Sequence, residues 1–258
     1  MGGLSRYVAV LRLFEEKRSE WTVLEIAEAL KIPASTVYRT VRDMLAAEFL
    51  EPANEARYRL GACFIEFDRL VRVTDPLYSV GNAVLRDVVE QARVPCVAVL
   101  ARLYDDTVMC IADCKSAEQG VYTSYERGRP RPLTRGATSK VILAQLSPRR
   151  LAKLLDSGSR KAAPPPKAES KFREELAAIR KSGYSITRGE VDRQIVGIAA
   201  PVCVPERALV GSLSIVVPAP SLTSALERRL LLLVTSSAKL LTAELSEPSV
   251  IRARASGG

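Results

Sequence analysis

The sequence predicts a two-domain α/β protein: an N-terminal winged helix-turn-helix of residues 1–61, a connecting helix of residues 62–74, and a C-terminal domain, residues 75–248, built on one antiparallel sheet. Three observations carry this prediction. Residues 22–60 read in order as helix, proline turn, hydroxyl-rich helix and arginine-bearing hairpin. Asp75-Pro76 then breaks the helical pattern, and the β-rich runs beyond it are ordered for antiparallel pairing. Finally, 258 residues with 47% apolar content can build two cores, so disorder is not the default.

A first helix is predicted over residues 4–18, where Leu4, Tyr7, Val8, Leu11 and Phe14 recur at helical spacing and Trp21 covers the end. Thr22-Val23-Leu24-Glu25 matches a capping box, in which the threonine oxygen accepts the Glu25 amide and the glutamate reaches back to the cap. The second helix therefore starts near Val23 and turns Leu24, Ala27 and Leu30 inward. Lys31-Ile32-Pro33 stops it, because proline lacks the amide and restricts the residue before it.

A third helix runs from Ala34 or Ser35 to about Ala47, with Ser35 or Thr36 satisfying its free amides. Val37, Val41, Met44 and Leu45 form one buried stripe. The opposite side offers Ser35, Thr36, Tyr38 and Arg39 to base edges from a helix laid in a major groove. Residues 49–60 read as a hairpin, or wing, with Leu50, Tyr58 and Leu60 inward and Arg57 and Arg59 outward by strand alternation. Arg42, Arg57, Arg59 and Arg6 are the candidates for phosphate or minor-groove contacts, although Arg6 reads equally well as a plain surface arginine.

In residues 62–74, Cys63, Phe64, Phe67, Leu70 and Val71 form an apolar side that needs a partner, either the second domain or the same helix of another subunit. A two-fold dimer would set two recognition helices one turn apart on a pseudo-palindromic double-stranded DNA operator.

Beyond Pro76, residues 77–93 predict a helix and residues 96–103 and 107–112 a hairpin around Tyr104-Asp105-Asp106. Residues 121–125 suggest a strand, 128–132 an ordered loop, 136–146 a helix and 158–166 an exposed loop. An amphipathic helix at 169–181 ends at Gly183, and strands follow at 184–187, 197–204 and 209–217. A closing helix, 222–245, carries Leu226, Leu230, Leu233, Leu240 and Leu241, and residues 249–258 read as a flexible tail. Neither a P-loop nor GxGxxG follows a strand, which argues against a parallel nucleotide-binding sheet.

Charge is unevenly placed. The chain has 38 Lys+Arg against 29 Asp+Glu, a net of +9, yet residues 1–72 balance 11 basic with 11 acidic residues. DNA affinity would therefore come from a local face and from pairing two copies. Residues 127–173 hold 13 basic and 2 acidic residues, a solvated surface or tether, or an attraction for acidic effectors or DNA.

Histidine is absent, which removes imidazole metal sites and Ser-His-Asp chemistry. Five cysteines without a CxxC pair read as reduced core thiols of a cytoplasmic protein, and no cofactor or metal is expected. No leader-like segment or apolar run of about 18 residues appears, so membrane spanning is not expected. Thr138-Ser139-Lys140 could suggest Ser-Lys chemistry, but adjacent residues on a helix do not face each other and no carboxylate is placed to orient them. A ligand-independent architectural protein is the remaining alternative.

These segments together resemble the IclR family of bacterial transcription regulators. The likeness rests on Thr22-Val23-Leu24-Glu25-Ile26-Ala27 through Pro33-Ala34-Ser35-Thr36-Val37-Tyr38-Arg39, on Phe49-Leu50-Glu51 through Arg57-Tyr58-Arg59-Leu60-Gly61, and on Gly183-Tyr184 through Gly197-Ile198-Ala199-Ala200-Pro201-Val202. Pro132-Leu133 to Lys140 and the Leu222-Thr223 helix start also agree, so the resemblance covers nearly the whole chain.

The resemblance implies a GAF-like effector domain, a homodimer or dimer of dimers, and a small organic acid effector. It implies a ligand-responsive repressor, or alternatively an activator, of a metabolic operon. Effector contacts fall at Ala137, Thr138, Thr187, Gly197, Ser214 and Val216, with Cys110, Thr134 and Cys203 as further candidates. Relatives that bind small polar acids have an acid at the Thr187 position, cysteine at Gly197 and serine at Val216. Their loss here favours a bulkier aromatic or hydrophobic acid, unless Thr134, Thr138, Ser139 or Arg188 restores the polarity.

Overall fold

The computed structural model describes residues 3–117, 121, 123–156 and 169–247. The chain divides after Thr74 into two compact units.

The first unit contains α1 (Gly3–Leu11), β1 (Trp21–Thr22), α2 (Val23–Leu30), α3 (Ala34–Ala46), β2 (Leu50–Pro52), β3 (Arg57–Leu60) and α4 (Cys63–Thr74). Its core is Val10, Trp21, Ile26, Val37, Val41, Met44 and Leu50. Each large aliphatic side chain taken from water there contributes about 1.5–3 kcal/mol. The capping box is formed: the Glu25 amide donates to Thr22 Oγ1 at 3.2 Å and the Thr22 amide to Glu25 Oε2 at 2.8 Å.

Four expectations need correction here. The first helix ends at Leu11, seven residues early, because the Trp21 indole donates to the Leu13 carbonyl at 3.0 Å and the chain turns back through paired Glu15 and Arg18. Leu4 is 78% exposed, and Val10 fills the core. In α2, Ile26 is buried and Leu24 is 72% exposed, since two residues of helix separate them by about 200°. No hydroxyl caps α3; the Pro33 carbonyl accepts the Thr36 and Val37 amides.

The wing is three-stranded, in the order β1-β3-β2, with Trp21 opposite Tyr58 and Leu50 opposite Leu60. Leu60, at the end of β3 and past the edge of the core, is exposed rather than inward. Gly61 is required where the chain leaves β3, because a Cβ there would stand 2.1 Å from the Glu48 carbonyl oxygen. On α4, Cys63 is buried and Phe64 packs on Phe49 with ring centroids 5.8 Å apart. Ile65, Phe67, Leu70, Val71 and Val73 are exposed, as an apolar stripe awaiting a partner would be.

The second unit contains α5 (Pro76–Ala92), β4 (Val97–Tyr104), β5 (Thr107–Lys115), β6 (Pro130–Pro132), α6 (Ala137–Ala144), α7 (Pro148–Asp156), α8 (Glu169–Ser182), β7 (Ser185–Arg188), β8 (Ile195–Val204), β9 (Leu209–Pro218) and α9 (Ser224–Ser246). The strands form one antiparallel sheet in the order β6-β5-β4-β9-β8-β7. Alternation along β8 sends Ile198, Ala200, Val202 and Val204 into a core shared with α5 and α9, while Ala199 faces the core shared with α6, α7 and α8. The sheet is therefore the middle of three layers.

Asp75 makes the domain boundary by capping α5 through the Leu77 amide and pairing with Arg102 at 3.2 Å. The expected loop at 128–132 contributes the edge strand β6, and the described residues of 121–125 form no strand. Leu240 is 70% exposed on α9, whose inner face is Leu230, Val234, Ala238, Leu241 and Leu245. The expected loop at 158–166 and tail at 249–258 lie outside the described residues.

Candidate functional site

Two surfaces can carry function, one in each unit. In the first, Val37, Val41 and Met44 lock one side of α3 into the core and leave Ser35, Tyr38, Arg39 and Arg42 exposed on the other. Thr36 is half-buried, and Tyr38 is 63% exposed. The Arg39 guanidinium donates to the Ser35 carbonyl at 3.4 Å, so both sit on one turn of the helix.

The remaining arginines are already engaged. Arg6 donates to the buried Thr40 hydroxyl at 2.8 Å and thereby pins α1 to α3. Arg42 lies 3.4 Å from Asp43, and Arg59 lies 2.6 Å from Glu51. Arg57 does not point outward; opposite Thr22 in the sheet, it turns back to Glu25 at 3.3 Å. The backbone amide of Thr22 holds the Glu25 carboxyl below its ordinary range; desolvation opposes this, and the Thr22 hydroxyl, Arg18 and Arg57 support it. An open, mainly apolar groove of about 740 Å³ lies beside α3 and the wing, lined by Val23, Leu24, Ala34, Ser35, Tyr38, Ala56 and Tyr58 among others.

In the second unit, a small cavity opens at the start of α6. Ala137, Thr138, Thr187, Gly197 and Val216 line it, as expected, because β7, β8 and β9 bring Thr187 opposite Gly197 and Gly197 opposite Val216. Ser214 stands behind it, sharing a hydrogen bond of 3.0 Å with the Thr138 hydroxyl. The structure does not bring Thr134, Cys110 or Cys203 to the lining. Cys110 is buried beside it, its thiol pushed up to about 12 by burial, and Cys203 lies six residues further along β8, about 20 Å away.

Sequence reasoning missed Thr123, Tyr125, Gly136, Glu190, Val191, Asp192 and Ile195. The signal available was the acidic Gly189-Glu190-Val191-Asp192 turn between the strands bearing Thr187 and Gly197. A turn joining two strands of a site necessarily passes over its end.

The cavity is neither large nor depleted of polar groups. It encloses only about 20 Å³, room for one water molecule. Tyr125 and Val191 close it: a Cβ on Gly136 would stand 2.9 Å from the Tyr125 hydroxyl and 2.7 Å from Val191 Cγ2. Thr138 supplies polarity as foreseen, whereas Arg188 pairs with Glu227 and the buried Ser139 hydroxyl has no hydrogen-bond partner among the described residues. Glu190 and Asp192 add two carboxylates.

Lys140 is held by carboxylates after all, at 2.6 Å from Glu190 and 2.7 Å from Glu175. Burial pulls its pKa down, but the hydrogen bonds and charges of Glu175 and Glu190 outweigh that and leave it raised. An ammonium so held is an ion-pair partner and a poor base for Ser139.

A helix-turn-helix with a three-stranded wing, followed by a three-layer domain enclosing a small cavity of mixed lining, defines a two-domain DNA-binding transcription regulator. Comparison with known proteins agrees. The profile described as IclR helix-turn-helix domain matches residues 3–53, and that described as bacterial transcriptional regulator IclR C-terminal matches residues 77–243. The chain belongs to the IclR family of bacterial transcriptional regulators.

It is similar to the HTH-type transcriptional regulator KipR of Bacillus subtilis, with 25% identity over 81% of this chain and 82% of that one. Among solved structures, the IclR transcriptional regulator from Alicyclobacillus acidocaldarius matches with a TM-score of 0.77 and 23% identity, over 95% of this chain and all of the other. An IclR homologue from Microbacterium hydrocarbonoxydans, complexed with 4-hydroxybenzoate, matches with a TM-score of 0.77 and 22% identity, over 97% and 99% of the two chains. The relatives matched are described as transcriptional regulators. Among the described residues, no helix is long and apolar enough to cross a membrane.

Proposed function

We propose that this protein is a ligand-responsive, sequence-specific repressor that acts in the cytoplasm on an operon for aromatic or hydrophobic acid catabolism. The observation that carries the DNA half is the exposed Ser35, Tyr38 and Arg39 side of α3, held rigid from behind by Val37, Val41 and Met44. Those side chains offer hydroxyl and guanidinium donors to base edges, and the apolar groove beside Tyr38 suits thymine methyls or sugars. Residues 62–74 serve as linker and dimerisation helix. Their apolar stripe pairs with a second copy, and dimers pair again, so that two α3 helices reach successive major grooves of a pseudo-palindromic operator.

The effector is a small aromatic acid. Support comes from the 4-hydroxybenzoate bound by the Microbacterium homologue and from the cavity's mixed lining. Tyr125, Val191, Ile195 and Val216 provide the apolar wall, and the α6 amides with the Thr138 and Thr187 hydroxyls provide the polar end. At about 20 Å³ the cavity must open to admit such a ligand, which gives binding a conformational consequence. The ligand regulates only by favouring one arrangement over another.

Purified protein should retard DNA from upstream of its own gene, and 4-hydroxybenzoate or a related acid should release it. Equal retention of unrelated DNA of the same length would defeat the sequence-specific reading, and tightened binding with the acid would instead favour activation.

A further inference from the structure

Two lining residues at the start of α6, Gly136 and Ala137, have backbone amides that the chain occupies itself. The Gly136 amide donates to Glu190 Oε2 at 2.9 Å, and the Ala137 amide to Thr187 Oγ1 at 3.0 Å. The other Glu190 oxygen, Oε1, holds Lys140 at 2.6 Å, and the Arg135 guanidinium grips the Glu190 carbonyl at 2.6 Å. Asp192, two residues on, accepts the Ser124 amide at 2.9 Å and the Ser124 hydroxyl at 2.7 Å, which fastens the same turn across the cavity. The charged side chains among the described lining residues are Glu190 and Asp192, both acidic.

An incoming carboxylate would therefore find the Gly136 and Ala137 amides filled and like charges beside it. We infer that Glu190 is a specificity-determining residue of this cavity: a tethered carboxylate that stands where an acid effector's carboxylate would bind and must swing off Gly136 before such an effector enters. This rests on the acid-sensing reading given above. The swing has a hinge, because Oε1 can keep Lys140 while Oε2 lets go. It also has somewhere to go, since the Glu190 side chain is 32% exposed. One carboxylate then replaces another at the same amides, so the protein's own anion competes with its ligand and raises the concentration at which the acid acts.

Glu190→Gln tests this, because it keeps the size and an acceptor for Gly136 but removes the competing charge and leaves Lys140 to neutralise the newcomer. Isothermal titration of the full chain would use 4-hydroxybenzoate and its uncharged analogue 4-hydroxybenzamide, with Glu175→Gln as control. That control also removes a carboxylate from Lys140 but does not touch the cavity. Glu190→Gln should bind the acid about tenfold more tightly than the parent, with the amide and the Glu175→Gln variant each within about threefold.

An acid affinity unchanged or weakened in Glu190→Gln overturns the inference and leaves acid sensing intact. An equal gain for the amide also overturns it, by showing that Glu190 merely fills space. If none of the three proteins binds the acid while each still melts cooperatively, the acid reading falls and the inference with it.

Discussion

The hydroxyl of Thr138 on α6 and that of Ser214 on β9 meet at 3.0 Å in the interior of the C-terminal unit, both almost wholly buried. This contact ties the helix that floors the cavity to the centre of the sheet. Removing the Ser214 hydroxyl strands that of Thr138, whereas without the Thr138 hydroxyl Ser214 still has the Val99 carbonyl at 3.4 Å. Thr138→Val and Ser214→Ala should each cost about 1–3 kcal/mol, and the double variant less than their sum. Urea unfolding of the four proteins measures the coupling; strictly additive losses would show that the pair does not act as a unit.

Lys140 should stabilise the fold in a pH-dependent way. Its folded pKa is raised above the ordinary 10.5, so its contribution is fully present below about that pH and disappears as pH rises through the folded value. Lys140→Met should cost less than the ~3–5 kcal/mol of a fully buried broken pair, since Glu175 and Glu190 remain partly exposed. The stability gap between parent and variant should stay constant below about pH 10.5 and narrow as the pH rises above it. A gap that widens with alkali would contradict the ion-pair assignment.

Gly136 has φ +82° and ψ 154°, a conformation that side chains resist, and its missing Cβ leaves space taken by Val191 and Tyr125. Gly136→Ala should destabilise the C-terminal unit by about 1–3 kcal/mol from backbone strain alone, and more from the two contacts. A variant that melts with the parent would mean the turn relaxes freely.

DNA contacts should separate by salt dependence. Arg39→Ala should lose specific affinity while non-specific affinity changes little. Arg42→Ala, if it meets phosphate, should weaken both and reduce the slope of log K against log salt by about 0.9. Arg57→Ala should also loosen the wing from α2, because its partner is Glu25, and so lower the melting temperature. Gel shifts at several salt concentrations, read beside thermal melts, tell these roles apart. Unchanged specificity in Arg39→Ala would remove it from base reading.

The thiols should differ in reactivity. Burial, with Asp113 adding to it, pushes Cys110 up to about 12, whereas Cys114 and Cys203 are partly exposed. Brief alkylation of the native protein at neutral pH, followed by peptide mass mapping, should modify Cys114 and Cys203 before Cys110. Early modification of Cys110 would mean that β5 opens readily.

Much of the fold was legible in the residues because its signals are local. The Thr22–Glu25 capping box, the Pro33 stop, the α3 stripe and the Asp75-Pro76 break each need only a few neighbouring positions to state their meaning. Periodicity failed where distant groups compete for the chain, as when the Trp21 indole reaches the Leu13 carbonyl and ends α1 early. It failed again at Leu24 and Leu240, where apolar residues fit a stripe on paper but lie on the solvent side of their helices.

The sequence by itself determined the two-domain order, the family and the strand positions that converge on the start of α6, because hydrophobic period and turn chemistry act over short range. Only the tertiary structure decided what fills that place. Deleting polar groups at Thr187, Gly197 and Val216 argued for a roomier, greasier cavity. Folding instead carries Glu190, Val191 and Asp192, which lie more than 50 residues after the start of α6, and Tyr125, which precedes it, over the cavity, and leaves room for one water. Which carboxylate meets which amide is a question of chain crossing in three dimensions, and no local pattern encodes it.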